Sequence, residues 1–169
     1  GDGTSEVRRE DITFTIKVGS VEMVSVPTAL HVPNWNNVPA RDFMLMTMGA
    51  FSPEQALPTP LSVSSDDPKG LEVTMVGIGT TGTGIPPFGN TLDELRRAAT
   101  NVADETFHTG EMEGQIRFDF DHPGDPSFST MGEVAPTAFE GTSGVGDSGG
   151  PLLLNGNIVG LLHGGINPT

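Results

Sequence analysis

Short apolar runs separated by glycine and proline make up most of this chain, and several of them alternate between apolar and polar positions. In "DITFTIKV" (11–18), every second residue from Ile12 to Val18 is apolar. An alternation of period two is typical of a half-buried β-strand. Further strand candidates are "VEMVSV" (21–26), "FMLMTM" (43–48), "LEVTMVGI" (71–78), "GQIRFDF" (114–120), "PLLL" (151–154) and "NIVGLLH" (157–163). The pattern predicts an all-β protein.

Two connections between these runs have the composition of tight hairpin turns. Gly19-Ser20 separates the first two runs, and Asn155-Gly156 separates the last two. Glycine and asparagine tolerate the positive φ angles that such turns require. Only "TLDELRRAA" (91–99) has helical spacing. Because so short a helix is marginal without partners, its conformation stays open.

Apolar periodicity stops between residues 52 and 68, where proline, serine and aspartate are frequent. A segment of this kind is typical of a linker that runs over the protein surface. We therefore place an N-terminal domain at 1–51, a linker at 52–68 and a C-terminal domain at 69–169.

The net charge argues against two classes of partner. There are 8 lysines and arginines against 22 aspartates and glutamates, a formal net charge of −14. This charge repels phosphate backbones and anionic lipids, so we expect neither nucleic-acid nor membrane binding. No apolar run approaches the ~20 residues of a membrane span, and the first ten residues have no apolar signal region.

Metal and thiol chemistry receive no support from the sequence. The chain contains no cysteine, which excludes disulfides, thiolate metal sites and cysteine catalysis. Asp119, Asp121 and Asp125 are irregularly spaced and match no calcium-binding loop. We expect no metal and no cofactor.

One short segment carries the candidate chemistry, Gly146-Asp147-Ser148-Gly149-Gly150-Pro151. Its glycines permit backbone conformations closed to other residues, so that the amides of Gly146 and Ser148 can hold a developing oxyanion. A serine hydroxyl is a weak nucleophile at neutral pH, and Ser148 would need a base within hydrogen-bond reach. The alternative is a glycine-rich hairpin turn with a buried acid.

This hexapeptide resembles the nucleophile loop of the trypsin-like serine proteases at all six positions. The resemblance extends over most of the chain and is closest to secreted bacterial members without disulfides. "VTMVGIGTTGTG" (73–84) resembles the strand that opens the second barrel, and "GNIVGLLHGG" (156–165) resembles the strand along which substrate pairs. The resemblance implies a double antiparallel β-barrel, an endopeptidase that cleaves protein or peptide substrates by acyl transfer, and a secreted or periplasmic location.

The resemblance also assigns roles outside the hexapeptide. Asp42, in "ARDFMLMTM", stands where the family has the acid that orients the base. Thr142 stands at the floor of the specificity pocket, and its lack of charge implies a small or medium uncharged substrate side chain. His163, Gly164 and Gly165 stand at the substrate-facing end of the last strand.

The catalytic base is harder to place. His31 lies in "TALHV" (28–32), which is similar to the family's histidine motif, but Asp42 follows it too closely for the hairpins that normally intervene. We therefore favour the interpretation in which His31 belongs to the "HVPNWNN" segment before the acid and the base precedes residue 1. We expect His108 and His122 to be surface residues, and His163 to be at most an improvised base.

On this interpretation the chain is truncated at both ends. The second barrel would be nearly complete from about residue 69 onward, and the first barrel would be incomplete. We then expect negligible peptide hydrolysis by this chain and self-association through unpaired sheet edges. The alternative function is a protease-like binding or structural module without catalysis.

Overall fold

The computed structural model describes residues 12–18, 21–31, 43–49, 59–82, 91–132 and 135–165, and it is essentially all-β. Its strands are β1 (Phe14–Val18), β2 (Val21–Ser25), β3 (Pro27–His31), β4 (Leu45–Met48), β5 (Glu72–Gly77), β6 (Arg97–Val102), β7 (Glu105–Thr106), β8 (Ile116–Arg117), β9 (Pro151–Leu154) and β10 (Asn157–Leu161). A single 3-10 turn covers Pro126–Phe128, and no α-helix occurs in these ranges. Nor do they contain a helix long and apolar enough to cross a membrane.

The described residues up to Pro60 belong to the first of two compact units. Strands β1 and β2 form one antiparallel pair, and β3 and β4 form another. In β2, Met23 and Ser25 are buried while Glu22 and Val24 are exposed, which is the period of two that the sequence predicts. Met23 is only 1% exposed, so it anchors the interior of this unit.

The described residues from Leu61 onward belong to the second unit. Four of its strands form an antiparallel sheet in the order β10-β9-β5-β6, and β7 pairs with β8 separately. The sheets of the described residues are not closed into a barrel.

Both edges of the four-stranded sheet carry extra backbone pairing. Beside β10, the amide of Ser64 donates to the carbonyl of Ile158 at 2.9 Å. Beside β6, the amide of Thr100 donates to Phe139 at 2.8 Å, and the amide of Gly141 donates back to Thr100 at 3.1 Å. Segments outside the strands thus cover part of each edge. Self-association through open edges stays a prediction.

The core of the second unit lies on one face of this sheet. Its buried apolar residues are Val73, Met75, Ala103, Leu152, Leu154 and Leu162. Alternate residues of β5 and β9 contribute to it because side chains on a strand point to opposite faces. Burying each large apolar side chain contributes about 1.5–3 kcal/mol, so this cluster positions the loops that leave the sheet.

Most of the strands follow the predicted pattern. The structure confirms 151–154 as a strand, and β1, β2, β4, β5, β8 and β10 lie inside their predicted runs. The turn between β9 and β10 has positive φ at both Asn155 (51°) and Gly156 (80°), as the sequence predicts. The other predicted turn, Gly19-Ser20, lies outside the described residues.

Three strands were not predicted, and they are β3, β6 and β7. Strand β6 takes up the end of the segment with helical spacing, so that segment does not form a helix. Its residues Arg97 and Ala98 are exposed, since β6 is the last strand in the sheet order. A partly exposed end strand lacks the regular apolar alternation by which strands are recognised.

Candidate active-site loop

Residues 142–150, here called the serine loop, lead into β9 and present Ser148 to solvent. Gly146 and Gly149 flank the Asp147-Ser148 pair with φ angles of 99° and 84°, which disfavour any residue with a Cβ atom. Two tight turns follow one another here. The amide of Asp147 donates to Gly144 at 3.1 Å, and the amide of Gly150 donates to Asp147 at 2.9 Å. These turns hold the serine in an exposed position.

The loop is held against the segment that follows β10. The amide of Gly149 donates to the carbonyl of Leu162 at 2.7 Å, and the amide of Leu162 donates to Gly150 at 2.8 Å. The hydroxyl of Ser148 donates to the carbonyl oxygen of His163 at 3.1 Å. His163 therefore contacts the Ser148 hydroxyl through its backbone carbonyl.

The half-buried carboxylate of Asp147 ties the serine loop to the segment after β5. Its Oδ1 accepts the amide of Gly79 at 2.7 Å, and its Oδ2 accepts the amide of Gly144 at 2.8 Å. The amide of Thr80 donates to the carbonyl of Val145 at 2.8 Å and reinforces the connection. Each oxygen of this acid thus has a backbone donor, as a partly buried carboxylate requires.

Glycine is required where the Asp147 side chain meets the segment after β5. A Cβ on Gly79 would lie 2.7 Å from both Cγ and Oδ1 of Asp147, and a Cβ on Gly77 would overlap the same carboxylate. The sequence pattern predicted no structural role for these two glycines. The signal was their close spacing at the end of a strand, which indicates a close approach of another segment to the backbone.

Two amides of the loop are available to a ligand. Within the described residues, the N–H groups of Gly146 and Ser148 donate no hydrogen bond. Gly146 and Ser148 are both exposed, so these amides are open to water and to a bound ligand. Their role as an oxyanion hole stays a prediction.

The other predicted substrate residues lie at the start of the loop and in the segment after β10. Thr142 is exposed and follows Gly141, whose carbonyl accepts the side-chain amide of Asn101 at 2.9 Å. His163, Gly164 and Gly165 are exposed and follow β10. The serine loop and residues 163–165 are joined by the hydrogen bond from Ser148 to His163.

The predicted acid and three of the histidines have the following places. Asp42 lies outside them. His31 is exposed at the end of β3, in the first unit. The Nδ1 atom of His122 accepts the amide of Gly124 at 3.0 Å.

The imidazole of His108 also has partners away from the serine loop. Its Nε2 lies 3.0 Å from Oδ2 of Asp67 and 3.3 Å from the hydroxyl of Thr106. The pKa of Asp67 lies below its ordinary value, first because the amide of Lys69 donates to its carboxylate and then because of Thr106 and His108. This pair is exposed, so its contribution to stability is small.

No group of three or more histidine, aspartate or glutamate side chains is arranged to hold a metal ion in the parts of the chain that the structure describes. Comparison of the chain with protein-family models, with curated proteins and with solved structures finds no match in any of the three. The function of the serine loop therefore has to be inferred from its own residues.

Proposed function

We propose that the protein is a serine-type endopeptidase of the trypsin-like class, with Ser148 as its nucleophile. The observation that carries this proposal is the combination of an exposed Ser148 hydroxyl with the free amides of Gly146 and Ser148 in one loop. An acyl-transfer enzyme needs a reachable hydroxyl and donors for the negative charge that forms on the carbonyl oxygen.

The proposed reaction is the cleavage of a peptide bond in two steps. Ser148 Oγ attacks the carbonyl carbon and gives its proton to a base, while the carbonyl oxygen becomes negative and accepts the N–H groups of Gly146 and Ser148. The base then protonates the leaving amine, and the acyl group remains on Ser148. Water hydrolyses this ester in the second step and restores the hydroxyl.

Asp147 supports the reaction by holding the loop in shape before substrate arrives. Its carboxylate is bound to the amides of Gly79 and Gly144, so the turn that contains Gly146 is fixed from two sides. Donors that are fixed in advance stabilise a developing charge without the cost of reorganisation. Asp147 is therefore a positioning residue and not a catalytic one.

The proposed fold is a double antiparallel β-barrel with an incomplete first barrel. The antiparallel pairing of strands in both units supports it. Asp42 is the proposed orienting acid. An extended peptide would pair along residues 163–165, with an uncharged side chain directed to Thr142. A secreted or periplasmic location is part of the same proposal.

A second candidate is a module of this fold that binds peptides without cleaving them. The hydroxyl of Ser148 donates to the carbonyl of His163, which cannot accept a proton in the way a base does. With the hydroxyl in this state, the loop would bind a carbonyl group but leave the serine unactivated.

A fluorophosphonate labelling experiment separates these functions, because the reagent modifies only an activated serine. The chain is treated with the reagent with and without free imidazole as a soluble base, and the modified residue is identified by peptide mass spectrometry. We expect no labelling by the reagent alone and labelling of Ser148 in the presence of imidazole. Ser148→Ala abolishes the label, and Ser143→Ala, in the same loop, keeps it.

Each result has a definite meaning. Rapid labelling without imidazole shows that the protein supplies its own base, and His31→Ala and His163→Ala then identify it. Labelling that depends on imidazole shows a formed nucleophile and oxyanion hole without a positioned base. If Ser148 stays unlabelled under both conditions, the peptidase proposal is wrong and the binding module remains.

A further inference from the structure

Three aspartates are gathered on the side of the second unit where β6 and β8 end. Asp104 follows β6, and its Oδ2 accepts the amide of Asp119 at 3.2 Å. Its Oδ1 lies against Gly132, where an added Cβ would overlap it. Asp121 is only 3% exposed, although it carries a carboxylate. A buried acid without a compensating partner is unfavourable, so this cluster requires an explanation.

Asp119 holds the segment that follows it. One oxygen, Oδ2, accepts the amide of Thr130, the hydroxyl of Thr130 at 2.8 Å and the amide of Met131 at 3.0 Å. Residues 119–131, here called the acidic segment, are therefore closed into a loop by a single carboxylate oxygen. The other oxygen, Oδ1, is buried and has no hydrogen-bond partner among the described residues.

The charged groups around Asp104 are acidic. Asp119 and Asp121 both act on it with negative charge. Glu140, which accepts the amide of Asp121 at 3.3 Å, adds a further carboxylate on that side. The guanidinium of Arg117 lies over the ring of Phe107 at 5.1 Å and donates to the side-chain oxygen of Gln115. These contacts are with neutral side chains and not with the aspartates.

The acidic segment carries two further titratable side chains, His122 and Asp125, and the carboxylate of Asp125 accepts the amide and the hydroxyl of Ser127. The ring of His122 meets Phe120 edge to face at 6.3 Å, and its Nδ1 accepts the amide of Gly124. Burial in these surroundings, followed by the charges of Asp119 and Asp121, raises the pKa of Asp104 to about 6. The amide of Asp119 acts in the opposite direction but does not cancel the effect.

We propose that Asp104 and Asp119 hold one proton between their carboxyl groups and that this proton is a pH-sensitive lock on the acidic segment. With the proton on Asp104, its O–H donates to the otherwise unpartnered Oδ1 of Asp119. Loss of the proton leaves two like charges together in a partly buried place, which weakens the contact. The segment then loosens from Asp104.

The lock is connected to the serine loop through Asn101. This residue is 1% exposed, and its side-chain amide donates to the carbonyl of Asp119 at 2.5 Å and to the carbonyl of Gly141 at 2.9 Å. Gly141 directly precedes Thr142. Release of the acidic segment therefore removes one support of the serine loop. The consequence for catalysis rests on the proposed function, whereas the lock itself does not.

The sign of the pH effect follows from the direction of the shift. The pKa of Asp104 rises from 3.8 to about 6 on folding, so the folded protein keeps a proton that the unfolded chain releases. The stabilisation is fully present below 3.8 and is lost as the pH rises through about 6. The acidic segment is therefore held most firmly in mild acid.

Carboxyl ¹³C NMR on the full chain tests the lock directly. We expect one aspartate to titrate near 6 in the unaltered protein, and this titration to disappear in Asp104→Asn. The asparagine amide can still donate to Asp119, so this variant copies the protonated state. Asp66→Asn, which removes an exposed acid, is the control and keeps the titration.

Hydrogen exchange of the acidic segment gives a second measurement on the same proteins. After correction for the intrinsic pH dependence, the amide of Asp119, which donates to Asp104, should exchange about tenfold or more faster at about pH 7.5 than at about pH 5, given the size of the shift. In Asp104→Asn the difference should be lost.

Three results would overturn the proposal. They are the absence of any aspartate titrating near 6, equal protection of the segment at both pH values, and protection at neutral pH that appears only when calcium is added. The last result would make the cluster a cation site. None of these depends on fluorophosphonate labelling, so the lock and the peptidase proposal fail separately.

Discussion

The carboxylate of Asp147 accepts the backbone amide of Gly79 at 2.7 Å, although 68 positions separate the two residues in the sequence. This bond joins the residue next to the candidate nucleophile to the segment that leaves β5, while the second carboxylate oxygen holds Gly144. The shape of the serine loop therefore depends on a strand outside it, and the first two predictions concern this connection.

Replacing Asp147 by alanine should destabilise the protein by about 1–3 kcal/mol, because the amides of Gly79 and Gly144 lose their acceptor in a partly buried place. Asp147→Asn keeps one acceptor oxygen and should cost less. Urea denaturation followed by circular dichroism measures the difference. Asp66→Ala is the control, since that carboxylate is exposed and accepts no hydrogen bond in the described residues. Equal losses for Asp147→Ala and Asp66→Ala would contradict the prediction.

Gly79→Ala should cost about 1–3 kcal/mol and reduce labelling of Ser148, since overpacking forces neighbouring atoms to shift. The new Cβ would lie 2.7 Å from the Asp147 carboxylate and 2.8 Å from the amide nitrogen of Asp147. Thermal unfolding and labelling of the same preparation measure both effects. Gly124→Ala is the matched control, because its nearest contact, at 3.4 Å, is a side-chain atom of His122. An unchanged melting temperature for Gly79→Ala would show that the two segments lie further apart.

Truncation of the core should be far more costly than truncation at the surface. Leu152 is 3% exposed in β9, so Leu152→Ala should lose about 2–5 kcal/mol from lost burial and the resulting cavity. Leu92 is 63% exposed, and Leu92→Ala should change stability by less than about 0.5 kcal/mol. Both variants remove the same atoms, so chemical denaturation compares their environments directly. Similar losses in both would place the core elsewhere.

The ion pair between Asp93 and Arg97 gives a prediction for strongly acid pH. Hydrogen bonds from the Arg97 side chain and then from the Leu95 amide lower the pKa of Asp93 from 3.8 to about 2. The stabilisation is present above 3.8 and is lost as the pH falls through about 2, and it is small because the pair is exposed.

Carboxyl NMR titration of two arginine variants tests this ion pair. Arg97→Gln should move the pKa of Asp93 towards 3.8, because the charged donor is removed. Arg96→Gln removes the same charge from the neighbouring exposed position and should leave Asp93 unchanged. A shift of the same size in both variants would mean that general charge, and not the direct contact, lowers the pKa.

The sequence by itself determined the local elements of this protein. Strand β9 and the turn at Asn155-Gly156 were predictable because both depend on side-chain alternation and on φ angles within a few residues. The left-handed backbone at Gly146 and Gly149 was likewise predictable, since glycine is the residue that adopts it readily. Strand β6 was not, because its exposed position at the end of the sheet leaves little apolar pattern.

Only the tertiary structure decided which distant residues meet. The order β10-β9-β5-β6 places Gly79 beside Asp147, and the connections around β6 and β8 place Asp104 beside Asp119. The same packing directs the hydroxyl of Ser148 to the carbonyl of His163. Alternation along a strand specifies which side chains face the core, but it does not specify which strand lies next to it. Contacts between segments therefore follow from how the whole chain buries its apolar faces and satisfies its backbone amides, and no short stretch of sequence contains that information.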